Sequence, residues 1–69
     1  MYLVIELQKN ADGTVGNIVT AYNTLNEADS KYHSVLASAA VSSVPIHSAV
    51  ILSERGKMIK NESYTHETE

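Results

Sequence analysis

Residues 8 to 19, QKNADGTVGNIV, place Asn10, Asp12 and Thr14 at alternate positions around Gly13, the spacing of oxygen ligands in a calcium-binding EF-hand loop. With Gly13 at the turn position of such a loop, Gln8 stands where the first aspartate belongs and Val19 where the bidentate carboxylate belongs. A hard dication is poorly held without those two anions. The stretch therefore predicts a turn in which Asn, Asp and Gly serve backbone geometry, and no metal site.

Arg55, Lys57 and Lys60 concentrate three of the five basic residues within six positions of an acidic chain. Such a cluster can neutralise a phosphate. The competing reading is a charged hairpin that keeps an exposed sheet edge soluble. Tyr2, Tyr22, Tyr32 and Tyr64 are the only aromatic residues, and each could stack on a base or a partner at a subunit boundary. His33 follows Asp29 by one helical turn, which predicts a surface hydrogen bond. His47 opens a candidate strand, where it could line a pocket or simply support structure. His66 begins H-E-T-E, which lacks the second histidine of a zinc-protease helix. With no cysteine and no nucleophile-elbow serine beside these histidines, an enzyme is not expected, nor a cofactor or metal. A ligand site, if present, would use Arg55, Lys57, Lys60, Tyr32 and His47, with Asn10 and Thr14 at its lip.

These groups must be carried by five elements. YLVIELQ at 2 to 8 alternates Leu3, Ile5 and Leu7 against Tyr2, Val4, Glu6 and Gln8, as a strand does. NIVTAY at 17 to 22 alternates again, and the two predict an antiparallel hairpin joined over Lys9 to Gly16, with Gly13 and Gly16 free to take positive φ. Thr24, Leu25, Asn26 and Glu27 form a capping-box pattern, and Ala28, Tyr32, Val35, Leu36, Ala39 and Ala40 repeat as the stripe of an amphipathic helix to about Val41. Glu27 and Lys31 are spaced for an i,i+4 ion pair. Pro45 prevents continuation of the helix. IHSAVILS at 46 to 53 reads as an interior strand and KMIKNESY as a fourth, with a turn and a bulge near Gly56 and a frayed tail over 65 to 69. The predicted class is α+β, order ββαββ, a four-stranded antiparallel sheet with one helix on one face and a single domain over 1 to 69. The opposite face is expected to gather Val4, Val19, Ala49 and Ile51 into an apolar patch.

Composition limits how such a domain survives. Its 69 residues are 43% hydrophobic with no cysteine, so disulfides and thiolate zinc sites are excluded and self-association is the expected aid to a small core. The small-residue run ASAAVSS, the sheet face and the edge strands are the candidate contacts. A net charge of -3 argues against extended nucleic acid or an anionic membrane as partner. No apolar run is long enough to span a bilayer and no signal peptide is visible, so the expected location is cytoplasmic and the Asn61 sequon is read as chance.

Across nearly the whole chain, YLVIE, NADGTVGNIVTAY, SKYHSVLA, AAVS and HSAV form a pattern that resembles a group of short bacteriophage and prophage proteins. The resemblance implies a setting, the cytoplasm of an infected bacterial cell, and no active-site residues. Small cysteine-free proteins in that setting typically act by occupancy. The first expectation is a sponge that sequesters a nucleotide immune signal of the host, holding phosphates with basic side chains and bases with tyrosines between identical subunits. The alternatives are a protein-binding inhibitor of a host factor or virion accessory protein, and a structural phage component without ligand.

Overall fold

In a computed structural model that describes residues 1–66, the alternating segments and the single helical stripe become β1 (Tyr2–Lys9), β2 (Val15–Tyr22), α1 (Leu25–Ala40), β3 (Ile46–Ser53) and β4 (Met58–Thr65). The strands form one antiparallel sheet in the order β2-β1-β3-β4, and α1 packs on one face over the two central strands. The α+β class and the ββαββ order are those expected from periodicity.

The β1–β2 hairpin is longer than the alternation alone suggests. Pairing runs from Tyr2 with Tyr22 to Lys9 with Val15, so β2 begins at Val15 and the connection is Asn10 to Thr14. Gly16 consequently lies in the strand, and Gly13, at φ 91°, supplies the one left-handed position of the turn. Its side chains are spent on each other. The Asn10 amide donates to Thr14 Oγ1 at 3.0 Å, while the Thr14 hydroxyl and N–H donate to Asp12 Oδ1 at 2.7 and 2.9 Å. Those bonds hold the Asp12 carboxyl below its ordinary range, the hydroxyl contributing most. The strands on either side rule out an EF-hand.

Thr24 caps α1 by accepting from the Glu27 N–H at 3.2 Å. Its hydroxyl donates in turn to Glu27 Oε1 at 2.9 Å, so the glutamate closes on the hydroxyl instead of the cap N–H. With that carboxylate engaged, the expected Glu27–Lys31 ion pair is not formed among the described residues. The helix ends at Ala40, ahead of Pro45.

Beyond Ser53 the chain turns on Gly56, at φ 81°, and β4 then gains one extra residue: Ile51 faces Lys60 while Leu52 faces Met58, leaving Ile59 as the bulge. Thr65 and His66 are held where fraying was expected. Thr65 belongs to β4, the His66 N–H donates to the Pro45 carbonyl at 2.7 Å, and its ring meets the Ala39 carbonyl at 2.8 Å. Residues 67 to 69 lie outside the described residues.

The core lies between sheet and helix. Val4, Ala49 and Ile51 pack there against Ala28, Tyr32 and Val35, with Ala39 also fully buried. Alanines at 28, 39 and 49 have almost no volume to keep the layers apart, so helix and sheet backbones approach closely. The expected apolar patch is thus corrected: Val4, Ala49 and Ile51 are the floor of the core, and of that group only Val19 lies on the uncovered face.

Candidate functional site

Strand geometry sends alternate side chains to opposite faces, and residues paired across an antiparallel ladder share a face. Applied to the observed registers, the face away from α1 carries rows that cross the sheet from β2 to β4. Ala21, Leu3, Leu52 and Met58 form the first row, and Val19, Ile5, Val50 and Asn61 the second. The third contains Asn17, Leu7, Ser48 and Ser63, and the last Val15, Lys9, Ile46 and Thr65. On the central strands Leu3, Ile5, Leu7, Ser48, Val50 and Leu52 are half-buried by their neighbours and Lys9 and Ile46 are exposed, while at the edges Val19 is 54% exposed, Met58 55% and Val15 63%. The first two rows are apolar but for Asn61. Lys9 is the one charged strand residue among the four rows.

Monomeric proteins rarely expose a contiguous apolar patch of more than a few hundred Å². Four strands about 4.8 Å apart, eight residues long at about 3.4 Å each, give this face a flat area on the order of 500 Å². The two apolar rows are about half of that area, and Val19 and Met58 leave them open at the edges. The alternation of Leu3, Ile5 and Leu7 in the sequence signals an apolar face, but by itself it points as readily to the core under the helix as to an open surface.

Under the C-terminal part of α1 lies a second feature, a polar cluster within the core layer. His47, 3% exposed, brings Nε2 to 2.7 Å from Glu6 Oε2, and the Gln8 amide donates to the same oxygen at 3.1 Å. Burial by itself would raise the Glu6 carboxyl. The hydrogen bonds from His47 and Gln8, aided by the positive charges of His47 and Lys31, outweigh it and hold the group below its ordinary 4.5. Nδ1 of His47 is buried without a hydrogen-bond partner. Because a carboxylate only accepts, the proton in the short contact to Glu6 is carried on Nε2. A shallow cavity of about 160 Å³ adjoins the cluster, lined by Glu6, Gln8, Gly16, Asn17 and Ile18. A groove of about 400 Å³ between helix and β2 is lined by Tyr22, Glu27, Ser30, Lys31 and Ser34. One lysine set against Glu27 and the nearby Glu6 makes a poor cradle for phosphate.

The residues expected to bind a ligand are dispersed. Asn10 and Thr14 occupy the β1–β2 hairpin, at the end of the sheet where Lys9 meets Ile46. Arg55 and Lys57 belong to the β3–β4 turn at the opposite end, where Tyr2 meets Ser53. His47 is buried against a carboxylate. Lys60 and Tyr32 do come together, the ammonium 5.9 Å from the ring centre. Lys60 is nevertheless committed to Asp29, Nζ to Oδ1 at 2.5 Å, and that bond is the main reason the Asp29 carboxyl sits below its ordinary range. Asp29 also meets His33 Nε2 at 3.3 Å, the surface contact expected from their spacing. Tyr32 is buried in the core, and that burial, with Glu62 nearby, raises the pKa of its hydroxyl above the ordinary tyrosine value.

Glu6 and Gln8, the partners of His47, were not anticipated as a group. They are 39 to 41 residues away in sequence, and only the β1–β3 pairing, in which Gln8 faces His47, joins them. Among the described residues no helix is long and apolar enough to cross a membrane. Compared with protein-family models, curated proteins and solved structures, the chain matches none.

Proposed function

We propose that this chain is a small binding protein that acts by occupancy, without catalysis, and that its working surface is the face of the sheet left open by the helix. The observation that carries the proposal is the pair of apolar rows built from Leu3, Leu52, Ile5 and Val50 and extended to both edges. Burying such a face gains roughly 25 cal/mol per Å² before the costs of association, so a partner with a matching apolar surface is favoured. The histidine–carboxylate pair His47 with Glu6 keeps its ring almost wholly buried and its carboxylate committed to His47 and Gln8, which supports a structural use over general acid–base work.

Within this reading, inhibition of a host protein or a virion accessory role follows directly from an apolar docking face. Sequestration of a nucleotide signal is the narrower form. It draws on Arg55 and Lys57 at one end of the sheet, and because the other candidate groups are divided between both ends, it requires sites assembled from more than one subunit. A protein made in an infected bacterial cell is the setting in which either activity would be useful.

Native mass spectrometry of the protein isolated from producing cells tests the proposal. The wild type should retain a partner, whether another chain or a small molecule, and Val50→Lys should lose it while remaining folded by circular dichroism. A wild type that is always bare, with a face indifferent to Val50→Lys, refutes the reading. For the nucleotide form, cyclic and adenine-containing nucleotides should raise the melting temperature and be recovered unchanged. Absence of any shift across that panel eliminates it.

A further inference from the structure

The geometry points to a second copy of this chain as the occupant of the open face, in a two-fold, sheet-on-sheet dimer. This inference rests on the reading of that face as the working surface. Three observations select a copy over an unrelated partner.

Charge comes first. In a two-fold interface a patch meets itself, so a charge near its centre is brought close to its own like. The chain has five basic and eight acidic residues, yet Lys9 is the one charged strand residue on this face, and it stands in the last row, away from the apolar half. The covered side of the same sheet carries Glu6, Lys60 and Glu62. A face that docked on a different protein could use charges for complementarity; one that docks on itself must exclude them from its centre.

Shape and area come second. The face is a four-stranded sheet surface, and the surface it fits over its whole width is another sheet of the same twist, stacked about 10 Å away at about 30°. Two such faces of roughly 500 Å² each remove about 1,000 Å², the lower limit of a specific interface, so the dimer should be reversible and dependent on concentration. Third, an edge-to-edge arrangement through β2 or β4 would pair an edge strand but leave the apolar rows wet. Face-to-face packing buries them and gives the sheet a second core.

Sedimentation velocity from micromolar to millimolar concentration provides the test. The wild type should rise from 7.5 kDa to twice that mass, and Val50→Lys should stay at 7.5 kDa. A lysine on the sheet carries a folding cost of its own, so a gentler pair of variants accompanies it. The chain has no cysteine, so Val50→Cys and Ser38→Cys each introduce a single thiol, one on the face and one on the exposed side of α1. The Val50→Cys thiol should react with a maleimide several-fold more slowly at high protein concentration than at low, and the Ser38→Cys thiol equally at both. A wild type that remains 7.5 kDa throughout, or a Val50→Cys thiol whose reactivity ignores concentration, overturns the dimer. If that monomer still loses a retained partner on Val50→Lys, the face keeps its role and only the second copy is refuted.

Discussion

Ile51 and Val50 are neighbours on β3 that point to opposite faces, so the same kind of truncation must have different consequences at the two. Ile51 is fully buried between sheet and helix. Replacing it with alanine removes three carbons beneath a closely packed helix that has little freedom to collapse, at a cost of about 3 kcal/mol. A domain of 69 residues is held by roughly 3 to 10 kcal/mol, so Ile51→Ala forfeits a third or more of the total. The melting temperature should fall by about 12 to 24 °C. Val50 is only half-buried in the single chain, and Val50→Ala should cost less than about 1 kcal/mol there. Thermal unfolding followed by circular dichroism at a low and a high protein concentration separates the two. The Ile51→Ala loss should be the same at both, whereas the Val50→Ala loss should grow at the higher one, where a second copy covers the residue. Equal losses for the two variants at low concentration would refute the assignment of faces on which the argument depends.

Three further outcomes follow from local structure. Gly13→Ala should destabilise by about 1 kcal/mol in urea titration, because a Cβ meets no neighbour there and the cost is purely the left-handed φ of 91°. Thr24→Ala should cost about 1 kcal/mol through loss of the helix cap, with Thr24→Ser restoring most of it. The Glu6 carboxyl is held below its ordinary 4.5 in the folded chain, so its contribution is complete above that value and is lost as pH falls through the lowered folded value. In Glu6→Gln the acid side of the stability profile should flatten; an unchanged profile would mean the His47 contact carries no linkage.

Much of the fold was legible because local chemistry repeats locally. The period-two runs around Leu3 and Val50, the Thr24 cap with the stripe from Ala28 to Ala39, and the glycine turns each depend on neighbours within a few residues. The ends of elements were less legible. Val15 and Gly16 read as loop because glycine is a poor strand former, yet pairing with Lys9 and Gln8 extends the ladder through them. Thr65 and His66 read as tail because their anchors, Ile46 and the Pro45 and Ala39 carbonyls, are supplied from some 20 to 27 residues away.

The candidate site was legible only in part. Sequence by itself determined that the strand over 46 to 53 has apolar residues on both faces, that one helix is available to cover one face of the sheet, and that the N-A-D-G-T stretch is a turn. It also determined that basic side chains cluster near Gly56. Only the tertiary structure decided that Val4 and Ile51 belong under the helix, that Leu3, Ile5, Val50 and Leu52 are left outside, and that Arg55 and Asn10 stand at opposite ends of the sheet. The physical reason is the crossover. β2 and β3 run parallel with β1 between them, so α1 must pass over β1, and the handedness of that passage, right-handed in nearly all folds, chooses the covered face. Alternation divides side chains between two faces, but it carries no information about which of them the chain will cross.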